Sequence, residues 1–491
     1  MLSPPCLLKQ PSLTMIKRVW PAVIASLLVG CAAPQPLSVQ PDAIAPEQWS
    51  SAQGMQLDAH DSAKGLDAEA QMANFFGLHT PQLLTLVQEA LAHSHTLASA
   101  REKMLQSELA LRIAKADRFP TVGLTSGIDR VEDSGNTVSL SANASWSVDI
   151  WGELSASQKQ AQLEYAAAVA TFNQEQITLI ADVYRQWFQL QEAQLLVDLY
   201  KERSQSLQSD LEVIESGYLN GLYEALDLYL ARNDANAQVA ALAEQEQVLK
   251  ETQRSLEQLL GRYPDAAIGA DEALPLIPMM SDVPLPASII KQRPDLQANW
   301  LTLLATDQAL AAAHRARFPS LTLTGSYGGS SDALSNLVGS NLAWSVGASL
   351  AATIFDAGQR EANQSIKASQ RREQEQVYLD AAYTAFTEVE NALTAESSLR
   401  KQYTLYIEAQ DNAKQAESLS FERYQRGLED YNTVLEAQRR SLDAQTNILS
   451  LRRALLQNRV DLMVALGGQL DPSLTVEYTP VNTSQVEIPH S

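Results

Sequence analysis

Between residues 137 and 150 apolar and polar positions alternate without a break. Val138, Leu140, Ala142, Ala144, Trp146, Val148 and Ile150 share one face, and Thr137, Ser139, Ser141, Asn143, Ser145, Ser147 and Asp149 share the other. The pattern returns at 342–354, with Leu342, Trp344, Val346, Ala348, Leu350, Ala352 and Ile354 set against Ala343, Ser345, Gly347, Ser349, Ala351 and Thr353. A period of two sustained over roughly ten residues, with Ser, Thr and Gly opposite the apolar set, predicts strands of a membrane β-barrel. The loop-forming stretches 132–136 and 328–336 fold each strand back on the residues before it, giving hairpins at about 119–151 and about 318–355.

Around the hairpins the pattern becomes helical and rich in Ala, Gln, Glu and Leu. Residues 121–263 and 320–471 contain no proline. Long helices are expected at about 153–216 and 359–426, each on the order of 100 Å. Return helices follow at about 222–260 and 428–466. Ascending helices at 82–117 and 287–316 end where Phe119-Pro120 and Phe318-Pro319 forbid continuation.

The two halves share landmarks in one order. Arg118-Phe119-Pro120 answers Arg317-Phe318-Pro319, Ile150-Trp151-Gly152 answers Ile354-Phe355-Asp356-Ala357-Gly358, and Tyr218-Leu219-Asn220-Gly221 answers Tyr424-Gln425-Arg426-Gly427. The reading is two internal repeats, 82–263 and 287–470, joined by a linker at 264–286 and followed by a tail at 471–491.

The N-terminus reads as an address. Lys17 and Arg18 precede an apolar run, Val19–Val29, too short to span a bilayer. Leu28-Val29-Gly30-Cys31 resembles a bacterial lipobox, so 1–30 is expected to be a signal peptide, with Met15 a plausible true start. Cys31 would then carry N-palmitoyl and S-diacylglycerol groups, since stable anchoring takes more than one chain. Ala32 rather than Asp after that cysteine favours the outer membrane. Residues 31–81 read as a lipidated tether.

Composition narrows the chemistry. A net charge of −22 over 491 residues argues against nucleic acid. Two cysteines, Cys6 and Cys31, exclude a disulfide framework. The six histidines offer no metal spacing beyond His93 and His95, and no phosphate loop or nucleophile elbow stands out, so neither an enzyme nor a cofactor is expected. A structural or adhesive coiled-coil lipoprotein is the alternative reading.

Two hairpins supply four strands, and an open sheet edge in lipid leaves backbone groups unpaired at several kcal/mol each. Membrane barrels begin at about eight strands. The chain must therefore share a barrel with copies of itself. Two copies give a filled lumen and three give an open pore, and the polar strand face favours the wet option.

These landmarks, with Arg293-Pro294-Asp295-Leu296-Gln297-Ala298 and Val434-Leu435-Glu436-Ala437-Gln438, resemble the TolC-like outer-membrane efflux family in its OprM/NodT-like lipoprotein branch, over about 31–470. The resemblance implies a mixed fold, all-α plus membrane β: a homotrimer with a twelve-stranded barrel continuing into a twelve-helix periplasmic α-barrel. It implies an exit duct of a tripartite pump, docked to a periplasmic adaptor and an inner-membrane pump of the resistance-nodulation-division (RND) type. It also implies an iris-like gate at the periplasmic end. Glu436 matches a family acid there, and Asn432, Asp430 and Thr433 stand beside it as a candidate ring. Tyr424 and Asp227 match the lock that holds the gate closed. Glu429 occupies the place of the lock's basic residue, leaving Arg426 or Arg423 as substitutes.

Overall fold

The computed structural model describes residues 44–46, 48–51, 81–131, 135–270, 274–275, 286–331 and 342–468. Cys31 and the signal region lie outside the described residues. The elements run α1 (Pro81–His93), α2 (His95–Ala116), β1 (Thr121–Val131), β2 (Gly135–Val148), α3 (Glu153–Leu219) and α4 (Ala225–Leu259). Then come α5 (Pro286–Gln292), α6 (Pro294–Arg315), β3 (Ser320–Ser331), β4 (Ala343–Ala351), α7 (Gln359–Gln425) and α8 (Tyr431–Ala465). The long helices α3 and α7 have 67 residues each, and the returns α4 and α8 have 35 each.

The expected ascending helices are each broken. In the first, Ser94 leaves helical geometry, and its hydroxyl accepts the Leu97 N–H at 3.4 Å to restart the chain as α2. In the second, Pro294 opens α6 at its first position and forces Arg293 to an extended ψ of 119°.

The four strands form one antiparallel sheet in the order β1-β2-β3-β4. The β2–β3 ladder joins the two hairpins, pairing Val148 with Leu321 through to Val138 with Ser331. Residues 328–331, expected in a loop, belong to β3. The reason is close packing: a Cβ on Gly328 would lie 2.3 Å from the Leu140 carbonyl oxygen, so glycine lets the strands approach. Register fixes two faces. Val122, Ala144, Gly325 and Val346 stand in one row, and Leu124, Ala142, Tyr327 and Trp344 in the next. Many of these apolar side chains are exposed, Val122, Leu124, Trp344 and Val346 among them. The opposite face is polar and bonds to itself: Asn143 Nδ2 donates to Thr125 Oγ1 at 3.2 Å, and the Ser326 and Ser345 hydroxyls lie 2.8 Å apart. Among the described residues no helix is long and apolar enough to cross a membrane.

Each hairpin enters its long helix through the same joint. Gly152 and Gly358 take positive φ (79° and 86°) just before α3 and α7. The Asp149 carboxylate accepts the Leu154 and Ser155 N–H groups at 3.0 and 2.8 Å, and Asp356 accepts those of Gly358 and Arg360 at 3.1 and 3.3 Å. A carboxylate there complements the positive helix end.

Farther along the helices, one core gathers Leu83, Val87, Met104, Trp187, Phe188, Leu256 and Leu456, and a second gathers Ile289, Leu296, Phe386, Val389 and Leu462. Part of the expected tether docks on the second. Trp49 is buried against Phe386 at 6.1 Å, and the Ser50 and Ser51 N–H groups donate to the Glu390 carboxylate at 2.8 and 2.9 Å.

Candidate functional site

The long helices end in two matching turns. Gly221 and Gly427 take φ of 73° and 72°. Leu222 N–H donates to Gly217 O and Leu428 N–H to Arg423 O, both at 2.9 Å, closing the carbonyl ends of α3 and α7. Those turns bring the start of α4 and the start of α8 beside one another. A small core of Ile214, Leu228, Ala231, Tyr424, Tyr431 and Val434 fills the space between the four helices.

Tyr424 sits at its centre, 5 % exposed. Its hydroxyl donates to Asp227 Oδ2 at 3.1 Å, joining α7 to the first turn of α4. Tyr223 stacks on the same ring at 5.0 Å and 22°, and Tyr431 packs at 5.2 Å and 52°. Gly217 leaves room for that stack, since a Cβ there would fall 2.1 Å from Tyr223 Cδ2. Burial first, then the Asp227 charge, holds the Tyr424 phenol far above its ordinary range. It therefore remains a neutral donor at any physiological pH.

The structure separates the remaining candidates from this pair. Arg426 does not reach it; its guanidinium lies against Glu422, one turn back on the exposed side of α7. Arg423 reaches Glu429 at 3.6 Å, and the Thr433 hydroxyl donates to the same Glu429 at 3.1 Å. Glu429 and its partners thus stay within the second repeat. Asp430 is the exposed N-cap residue of α8, and its backbone oxygen accepts the Thr433 N–H at 3.0 Å. Asn432 is exposed. Glu436 is also exposed and accepts from Arg440 at 2.8 Å, with Arg439 at 3.6 Å. The Arg440 hydrogen bond, with its positive charge, pulls the Glu436 carboxyl below the usual carboxylate range.

Two ties between the repeats were not anticipated. Gln438 Nε2 on α8 donates to Asp210 on α3 at 2.9 Å, and Arg203 on α3 pairs with Glu417 on α7 at 2.6 Å. Their signal in the sequence is heptad spacing: Arg203, Asp210 and Gly217 recur every seventh residue, as do Glu417 and Tyr424. Among the described residues no group of three or more His, Cys, Asp or Glu side chains is arranged to hold a metal ion.

Known proteins place this architecture. A family model described as outer membrane efflux protein matches residues 86–262 and 285–468. The chain belongs to the outer membrane efflux protein family. The solvent efflux pump outer membrane protein SrpC of Pseudomonas putida is 30% identical over 462 residues, covering 91% of this chain and 97% of that protein. The probable outer membrane lipoprotein SilC of Salmonella typhimurium is 28% identical, covering 90% of this chain and 96% of its own length. The outer-membrane channel OprN superposes with a TM-score of 0.79 at 21% identity, over 90% of this chain and all of that one. As a member of this family the chain is an outer-membrane protein and serves as the exit duct of an efflux system.

Proposed function

We propose that three copies close one twelve-stranded barrel and continue it as a twelve-helix tunnel, through which a tripartite pump exports small molecules such as drugs. The observation that carries this reading is the sheet. Its strands present an exposed apolar face and a hydrogen-bonded polar face, while β1 and β4 stand at its two edges. Pairing β4 of one copy with β1 of the next removes every edge from lipid and turns the polar face to a wet lumen. Cys31 carries the lipid anchor. A periplasmic adaptor and an inner-membrane pump of the RND type complete the assembly. Tyr424 with Asp227 closes the inner end, while Glu436, Asn432, Asp430 and Thr433 line its mouth, where acids favour cations. Relatives named for solvent efflux and for cation efflux support small molecules or ions as cargo.

The test is reconstitution. Purified protein is expected to migrate as a trimer that heating converts to monomer, and to form discrete channels in planar bilayers. A monomer that inserts without conducting would overturn the proposal.

A further inference from the structure

We propose that Asp210 and Gln438 form a second latch between the α3–α4 and α7–α8 pairs, and that this latch tightens when the Asp210 carboxyl takes up a proton. It rests on the channel reading above and adds a regulator to the same gate.

The geometry supplies the reason. Asp210 lies on α3 and accepts from Gln438 Nε2 on α8 at 2.9 Å. Gln438 is 3 % exposed, and its other amide atom, Oε1, is buried with no hydrogen-bond donor among the described residues. A buried acceptor left so forfeits the hydrogen bond that water would give it. An ionised carboxylate accepts only and cannot satisfy it. A protonated carboxyl can: one oxygen keeps the Nε2–H bond while the other donates its new proton to Oε1. Acid and amide then face each other through two parallel hydrogen bonds.

The surroundings decide where that proton settles. Arg203 stands one heptad back on α3, but Glu417 of α7 holds its guanidinium at 2.6 Å. Tyr431 of α8 faces Asp210 and also feels Asp227 and Asp234 of α4, while Tyr424 of α7 packs on Tyr431. Burial, with the Glu417 charge adding to it, raises the Asp210 carboxyl above its ordinary range, against the opposing pull of Gln438 and Arg203. When the helix pairs separate, Asp210 meets water and its ordinary affinity returns. The joined state therefore binds the proton more tightly, so acid favours joining, and the gain is lost as pH rises through the raised value.

Two readouts test this on the full-length protein. In planar bilayers the wild-type conducting fraction is expected to fall about fivefold between neutral pH and an acid pH below the raised Asp210 value, the factor one net hydrogen bond supplies. Asp210→Asn, which offers an amide in place of the acid, should stay low at both pH values. Gln438→Met, similar in size without the amide, should conduct more than the wild type at the acid pH, because the proton on Asp210 then has no amide to bridge to. Tyr424→Phe should conduct more throughout yet keep the response to acid. Hydrogen exchange of the 426–430 turn, corrected for intrinsic rates, should slow on acidification in the wild type and be insensitive to pH in Asp210→Asn. Asp210→Asn that responds to acid as the wild type does overturns the latch. Absence of channels in the wild type overturns the duct assembly instead, and exchange then decides the latch.

Discussion

The middle and the periplasmic end of the helical region are held by opposite kinds of bond. In the middle, Glu396 of α7 and Arg459 of α8 are 2 % and 3 % exposed and meet at 3.0 Å. Asn458 and Arg400 donate to the same carboxylate at 3.1 and 2.7 Å. Nearby, buried Arg293 reaches Asp295 at 2.7 Å, Glu388 at 2.6 Å and the Ala465 carbonyl at 3.1 Å. Parting two buried ions strands both, at several kcal/mol. At the end, Tyr424 with Asp227 and Gln438 with Asp210 each join a neutral donor to one carboxylate. Separating such a pair frees a single charge at the edge of the fold, where water takes it up. Among the described residues the ionic tie between the repeats at this end is Arg203 with Glu417, farther from the turns, while Arg232 with Glu215 and Arg423 with Glu429 pair within one repeat. The contrast teaches that a gate needs ties whose two sides can be solvated separately, whereas a fixed collar needs ties whose sides cannot.

The largest effect should come from the middle. Glu396→Leu removes the buried carboxylate that Arg459 meets at 3.0 Å and is expected to cost about 3–5 kcal/mol. The readout is a lower midpoint of heat dissociation, with little folded protein recovered. Glu396→Leu combined with Arg459→Met removes both charges and should regain much of the loss. A single variant as stable as the parent would break the contrast at its root.

The next effect belongs to the end. Tyr424→Phe removes a hydrogen bond to a charged acceptor, worth about 1.5–3 kcal/mol, while keeping the ring that Tyr223 and Tyr431 pack on. Conductance should rise severalfold, as it should for Asp227→Ala, with the heat midpoint nearly unchanged. A closed level identical to the wild type would show that this pair does not hold the end.

What could be read in advance follows how local each signal is. The strands were visible because a two-residue period needs nothing beyond its own segment, and the long helices because proline is missing from their tracts. The break at Ser94 was hidden, since buried Ala90, Leu97 and Met104 keep a seven-residue helical spacing across it and only the capping hydroxyl marks the restart. Gly328 looked like loop punctuation; its role is set by Leu140 on a strand nearly two hundred residues earlier. The Tyr424–Asp227 pair was reachable only through family resemblance, because nothing local links residues on α7 and α4. Asp210 and Gln438 had no such guide. Trp49 sat in a stretch without periodicity, and its socket on α7 is a tertiary fact.

The smallest effect should fall on Glu436, which tests whether charge at the mouth tunes passage or restrains it. Its carboxylate is exposed and held by Arg440 on its own helix, so among the described residues it ties α8 to no other element. Because that arginine lowers its affinity for protons, the charge persists below the pH at which an ordinary glutamate is neutralised, and is lost only as pH falls through the lowered value. Glu436→Gln should leave the heat midpoint and the closed level unchanged. In a salt gradient the reversal potential should shift slightly toward reduced cation preference, and the wild type should show the same shift only in strong acid. A severalfold rise in conductance would mean that an exposed charge restrains the end, placing ionic ties where the contrast allows only neutral donors.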